Sequence, residues 1–358
     1  MKVLIARLDN LGDVLLAGPA IRAVAARADE VVMLCGPRGR TAAELLPGVD
    51  RIVEWRAPWI DPEPEPVERA EIDRLVQTVA ADGFDRALIL TSFHQSPLPL
   101  ALLLRLAGVP WIGGISDDYP GSLLDLRHRQ DDDVPEAARM LGLAAAAGFP
   151  ASVDDTRLAV REPLPDVREL TGEPAHGPEP GAGHGRGHGS RPGYVVVHPG
   201  TSVPARAWPP DRCAEAVRLL AEAGWRVLVT GGPAEKDLTA RVAGRDGRDL
   251  GGRTGLPELA AVLSGADAVV AGNTGPAHLA AAVGTPVVSL FAPTVPAARW
   301  APYGVPTVLL GDQQAACAGT RASECPVPGH PCLSSVRPND VVAAVAGLSE
   351  EPTREATT

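Results

Sequence analysis

Strand-length apolar runs alternate with segments of helical spacing twice along this chain, and a stretch that supports neither lies between the two series. In the first series residues 3–8, 31–35, 51–55 and 86–91 read as strands. Helical spacing covers 14–26, 41–46, 68–81 and 98–107, and Gly113-Gly114 reads as a turn. The second series runs through strands at 194–198, 226–230, 268–271 and 287–290, with helices at 210–223, 235–242, 257–263 and 276–283. Strands that alternate with helices are joined by crossovers, so they pair in parallel and build a doubly wound α/β sheet. Two such series predict two Rossmann-like domains with a cleft between them, the usual place for a small-molecule site.

The interruption is compositional. Residues 173–192 are wholly Gly, Pro, His, Arg, Glu, Ala and Ser, too poor in apolar side chains to offset the entropy of ordering. The expected organisation is therefore a first domain over 1–165, an unstructured linker over 166–192, a second domain over 193–348 and a short tail over 349–358. The linker histidines His176, His184 and His188 could meet a metal, but Gly-flanked ligands without a supporting shell favour the linker reading.

A chain of 358 residues fits two domains, and its 38 Gly and 36 Pro call for many tight turns. The net charge of −11 excludes the basic footprint of a nucleic-acid binder and offers no attraction to anionic lipid. Lysine occurs only at Lys2 and Lys236, so a phosphate contact is expected from an arginine fork. The richest apolar window, 98–108, is cut by Arg105, and the N-terminus has no signal-peptide core. A cytoplasmic location without membrane association is expected, with the five cysteines as thiols or ligands.

In an open parallel sheet ligands sit beyond the carboxyl ends of the strands, so the loops there are the candidates. The first is Arg7-Leu8-Asp9-Asn10-Leu11-Gly12-Asp13, which is not the Gly-x-Gly-x-x-Gly of a dinucleotide site. Asp13 falls near the first helical turn, and spacing alone favours a cap. Gly12 nevertheless keeps the backbone beside it small, as a general base facing a cleft would need. The second loop is His198-Pro199-Gly200-Thr201-Ser202, followed by Arg206-Ala207-Trp208-Pro209. Two hydroxyls, backbone amides and a guanidinium suit a diphosphate as well as they suit a capped turn with a surface Arg. The third is Gly272-Asn273-Thr274-Gly275-Pro276-Ala277-His278, a strand end opening a helix whose free N–H groups attract anions. His278 taken alone reads as a core histidine. Gly231-Gly232-Pro233-Ala234-Glu235 is a weaker turn, whose Glu235 either meets ribose hydroxyls or starts a helix. Cys317, Cys325 and Cys332 with His330 could in principle hold zinc, but their spacing is not that of paired zinc-ribbon ligands, and packing is the favoured reading.

Taken in order, Arg7 to Leu15, His198 to Thr201, Arg206 to Pro209, Gly272 to Ala282 and Leu290-Phe291-Ala292-Pro293-Thr294 resemble glycosyltransferase family 9, the ADP-heptose:lipopolysaccharide heptosyltransferase-like proteins. The Cys317, Cys325, Cys332-Leu333 pattern is similar to many members. The resemblance implies a GT-B fold, with a nucleotide-sugar donor on the C-terminal half, a glycan or small-molecule acceptor on the N-terminal half, and inverting, metal-independent transfer. It implies no cofactor beyond the donor, ADP-heptose or a close analogue; a monomer is expected. It casts Asp13 as the catalytic base, with Asn10 and Gly12 in the acceptor-side loop. Thr201, Ser202 and Arg206 fall on diphosphate-binding positions, Arg206 replacing a Lys of enterobacterial members. Thr254 and Leu256 match the segment lining the base, Glu235 a ribose contact, and Thr274, Gly275 and His278 the helix-terminus donor site. Asn273 stands where many members carry Asp, and it brings a hydrogen-bonding amide without charge. Thr294 is followed by Val295-Pro296 where Asp-Pro is frequent. The alternatives are a GT-B sugar-nucleotide epimerase and a non-catalytic sugar-nucleotide-binding protein.

Overall fold

The computed structural model describes residues 1–130, 133–172 and 193–350, which divide into two units. The first unit is Met1–Arg161 together with Ala298–Gly304; the second holds the described residues of 162–297 and 305–350.

The first unit is organised by the apolar run that opens the chain. Val3, Leu4 and Ile5 are completely buried in β1 (Lys2–Arg7), which pairs in parallel with β2 (Glu30–Cys35) on one side and β4 (Arg86–Ile89) on the other. β3 (Arg51–Glu54), β5 (Ile112–Ile115) and β6 (Leu126–His128) complete a six-stranded sheet in the order β3-β2-β1-β4-β5-β6. The chain winds outward through β3 and then returns to the other side of β1, so the order reverses between β1 and β4. The loops leaving those two strands diverge to opposite faces and open a crevice at their carboxyl ends.

The second unit repeats the plan with β7 (Tyr194–His198), β8 (Arg226–Val229), β9 (Arg248–Asp249), β10 (Ala268–Gly272), β11 (Val287–Leu290) and β12 (Thr307–Leu310). Its order, β12-β11-β10-β7-β8-β9, places the reversal between β7 and β10. Val195, Val197, Val270 and Val288 of the strands pack with Val217 and Leu220 of the helix Pro210–Glu222 and with Val341 and Val345 of the helix Pro338–Glu350. Both sheets are parallel and doubly wound, as the alternation predicts.

Several local expectations differ. The single helix over 14–26 is two helices, Leu11–Leu16 and Gly18–Ala25, joined at Ala17. Pro19 has no N–H and its ring excludes a preceding helical turn, so it starts the second helix rather than sitting inside the first. The first helix begins at Leu11, earlier than the spacing suggests, which puts Asp13 at its third position. Gly113 and Gly114 are not a turn but the middle of β5. A Cβ on Gly113 would lie 2.9 Å from the Trp111 ring and one on Gly114 3.2 Å from Pro97, so the glycines serve close packing within a buried strand. β6, β9, β12 and the helices Glu136–Ala146 and Pro338–Glu350 are additions to the predicted elements. Within the segment expected as a linker, Arg168–Thr171 is helical with Thr171 buried, while 173–192, with His176, His184 and His188, lies outside the described residues.

Candidate active site

Each sheet reversal collects polar side chains. In the first unit β1 ends on Arg7, a guanidinium with no solvent exposure. A charge in that position needs partners, and the reversal supplies them from both sides. Arg7 Nη2 lies 3.2 Å from Asp13 Oδ1 and 3.3 Å from Asp9 Oδ2, and donates to Ser92 Oγ at 2.8 Å in the loop after β4. Arg7 Nη1 donates to the Leu90 carbonyl at 3.2 Å and lies 3.8 Å from Glu136 Oε2. Ser92 Oγ and Gln95 Nε2 both donate to Asp9 Oδ2, at 2.7 and 3.1 Å, and tie that carboxylate down.

Asp13 is held differently. Its Oδ2 accepts the Asn10 N–H at 3.3 Å, the reach-back of a third helical residue to the residue preceding the helix. The capping geometry that spacing suggests is therefore present, and it does not exhaust the side chain, which keeps 16% exposure where Arg7 has none. Burial, and next the Asp9 charge, push the Asp13 carboxyl up to about 6 against the opposing pull of Arg7. A carboxyl poised near neutrality, oriented by a buried guanidinium and open to solvent on one edge, can accept a proton from a bound hydroxyl. Gly12 is buried beside it, and Asn10 is exposed at the helix entrance.

In the second unit β7 ends on His198, whose Nδ1 lies 3.0 Å from Thr230 Oγ1 at the end of β8. Burial lowers its proton affinity, so it is neutral at physiological pH. In the following loop Thr201 Oγ1 accepts the Val203 N–H at 3.2 Å, which curls the chain towards the turn Pro204–Arg206, and Ser202 is exposed. A Cβ on Gly272, at the end of β10, would lie 3.3 Å from the Arg206 carbonyl, so Arg206 stands against the start of the third motif. Asn273 and His278 there are 6% and 5% exposed. Asn273 Nδ2, Thr274 Oγ1, His278 Nδ1 and, after β11, Thr294 Oγ1 have no hydrogen-bond partner among the described residues. Four such atoms at one sheet end are costly unless a ligand meets them. His278 is therefore not the satisfied core histidine its position alone suggests. Burial and then the Arg206 charge push it down to about 4, leaving a neutral ring. Thr274 precedes the helix Gly275–Ala282 without bonding its amides through the hydroxyl; Pro276 carries no N–H and the Ala277 N–H donates to the Thr274 carbonyl at 3.2 Å, so the Gly275 N–H is the amide this helix start offers.

Other expected residues are less closely joined. Glu235 Oε2 accepts the Gly232 N–H at 2.7 Å, the helix-starting arrangement, and a Cβ on Gly200 would lie 1.9 Å from its Oε1. Glu235 thus adjoins the His198–Ser202 loop. Thr254 and Leu256 are half-buried and lie after β9, Leu256 opening the helix Leu256–Ser264. Cys317 and Cys332 are packed in the core of the second unit. Cys325 Sγ lies 3.3 Å from the Val327 carbonyl, and His330 Nε2 donates to the Ala205 carbonyl at 3.0 Å. That bond steadies the Arg206 turn.

Two groups escape sequence reasoning. Glu136 and Arg139 lie in a helix whose Ala-rich run carries no strand-end signature, and the Thr294 hydroxyl has no mark of its own beside the Val295-Pro296 departure. A signal exists for the first pair, an acidic and a basic residue three apart at a helix start, but that pattern is ordinary on exposed helices.

Comparison with known proteins identifies the family. The family model of glycosyltransferase family 9 (heptosyltransferase) matches residues 72–330, a span that leaves out Asp13. Lipopolysaccharide heptosyltransferase 1 of Pseudomonas aeruginosa is 30% identical over 330 residues, covering 87% of this chain and 84% of its own length. Among solved structures, a family 9 glycosyltransferase from Veillonella parvula superposes with a TM-score of 0.74 at 18% identity over 98% of both chains. The E. coli heptosyltransferase WaaC with ADP-2-deoxy-2-fluoro heptose gives 0.68 at 20% identity, over 97% of this chain and 99% of that one. With two parallel Rossmann-like sheets and these matches, the chain belongs to glycosyltransferase family 9 and is a glycosyltransferase of the GT-B fold.

Proposed function

We propose that the protein moves a heptose from an ADP-heptose-like donor to a hydroxyl of a glycan or small-molecule acceptor, with inversion and without a metal. The observation that carries this reading is Asp13: partly exposed, bound to Arg7 at 3.2 Å and raised to about 6. A base for an alcohol needs this combination, because a fully solvated carboxylate is a weaker proton acceptor at neutral pH.

In the proposed reaction Asp13 takes the acceptor hydroxyl proton as the oxygen attacks the anomeric carbon, and the bond from that carbon to the diphosphate breaks on the opposite side. A base in this role supplies roughly 10²–10⁴-fold. Negative charge grows on the leaving diphosphate. Arg206, the Thr201 and Ser202 hydroxyls and the Gly275 N–H at the start of Gly275–Ala282 meet it, the electrostatic work a metal performs elsewhere. The unpartnered Asn273 Nδ2, Thr274 Oγ1 and His278 Nδ1 would bind the donor's remaining oxygens; Glu235 takes the ribose, and Thr254 and Leu256 line the base. Heptose is supported by the family match, and ADP in the donor by the ligand of the solved WaaC structure.

Purified protein incubated with ADP-heptose and candidate acceptors should release ADP only when an acceptor is present, equally with and without EDTA. The product should carry the opposite anomeric configuration by NMR. A retained anomer would overturn the mechanism, and loss of activity in EDTA restored by a divalent cation would overturn its metal independence.

A further inference from the structure

A second fully buried charge of the first unit, besides Arg7, plays no part in the proposed reaction. Glu136, the first residue of the helix Glu136–Ala146, has no solvent exposure, and neither carboxyl oxygen accepts a hydrogen bond among the described residues. A helix of this composition does not need it, since an acidic residue in a first turn is equally useful when solvated. Its helix packs against the helix Gly18–Ala25 and against β5 and β6. Glu136 Oε2 lies 3.8 Å from Arg7 Nη1 and 3.6 Å from Arg139 Nη1.

The charges around it do not balance. From the β1 loop come Arg7, Asp9 and Asp13; from its own helix, Arg139. From 298–304 comes Arg299, already paired with Asp133 at 2.7 Å and stacked 4.3 Å above the Phe93 ring. Asp117 and His128 act on or feel Arg139 from the strand ends beyond. The β4 loop contributes Ser92 and Gln95, both of which donate to Asp9. Three carboxyls, those of Asp9, Asp13 and Glu136, thus meet two guanidinia, Arg7 and Arg139. Asp9 already accepts from Ser92 and Gln95, so Asp13 and Glu136 are left to share Arg7 from its two nitrogens.

We infer that Glu136 is a positioning residue acting through Arg7, sharing that guanidinium with Asp13 so that the base remains a strong enough proton acceptor. This rests on Asp13 being the base. The direction of both groups agrees with it: burial raises Glu136, and its charge is among the influences that raise Asp13. Without Glu136, Arg7 would belong to Asp13 and Asp9 alone, and Asp13 would hold its proton less firmly.

The test needs no substrate. In protein carrying ¹³C-labelled Asp and Glu carboxyls, the Asp13 signal, assigned by its absence from Asp13→Asn, is titrated by NMR. In Glu136→Gln its midpoint should fall by ~0.5–1 pH unit, the size expected for removing one like charge across a shared guanidinium. Glu136→Asp, which restores the charge, should return it towards the wild-type value. If activity proves measurable, the acid limb of kcat/KM should move with the midpoint. An unchanged Asp13 midpoint in Glu136→Gln would overturn the inference, whatever the fate of the glycosyltransferase reading. Should Glu136→Gln not fold, the wild-type titration decides: Asp13 and Glu136 signals must each show two steps at common midpoints, and a single independent step for Asp13 overturns the coupling.

Discussion

Replacing Asp13 with Asn keeps the outline of the side chain and removes its ionisation. An Asp at about 6 in the folded protein and 3.8 when unconstrained is harder to ionise folded than unfolded. Below about pH 4 the carboxyl is protonated in both states and costs nothing. Between there and about 6 the unfolded chain releases the proton and the folded one retains it, so the group's contribution to stability falls as pH rises; above that the penalty is constant. The gap, at about 1.4 kcal/mol per unit, comes to about 3 kcal/mol. Asn has one side-chain oxygen where the carboxyl has two, and cannot accept from both Arg7 and the Asn10 N–H, which returns roughly 1–2 kcal/mol. Asp13→Asn should therefore abolish transfer and yet be ~1–2 kcal/mol more stable than wild type at pH 8. The advantage should vanish, or reverse, at pH 4. Urea unfolding of both proteins at the two pH values measures it. A variant that is less stable at pH 8, by a margin independent of pH, would refute the claim that the folded protein holds this carboxyl protonated beyond its ordinary range.

The same group predicts that kcat/KM of the wild type rises with pH through about 6, and a profile flat from pH 5 to 8 would remove Asp13 from the role of base. Arg206→Ala should weaken ADP binding roughly 10–100-fold by calorimetry, the loss of a charge-assisted contact to phosphate. Gly200→Ala puts a methyl 1.9 Å from Glu235 Oε1 and must swing that carboxylate off the Gly232 N–H. It should cost about 1–2 kcal/mol in thermal unfolding, and far less in a Glu235→Ala background, the coupling being the readout.

Much of the candidate site was legible because strand ends announce themselves. Arg7 to Asp13, His198 to Arg206 and Gly272 to His278 each follow an apolar run, and the topology rule sends ligands there. Glu136 was not legible, since nothing in Glu136-Ala137-Ala138-Arg139 distinguishes a buried ion pair from a solvated helix start. Gly113-Gly114 misled for the opposite reason: a glycine pair suits a turn and a tightly packed strand alike, and only the Trp111 and Pro97 side chains beside it decide between them.

The sequence by itself determined two parallel sheets and the edge of each at which chemistry is possible, because hydrophobic periodicity and strand–helix alternation are local and act over a few residues. Only the tertiary structure decided how the side chains at those edges are buried, charged and partnered. The proton affinity of Asp13 depends on Arg7, Asp9 and Glu136 meeting within 4 Å, and the unpaired amide of Asn273 depends on what its neighbours leave unbonded. Those are distances between residues far apart in the chain, set by helix packing and sheet order, and burial and charge act through such distances rather than through spacing along the sequence.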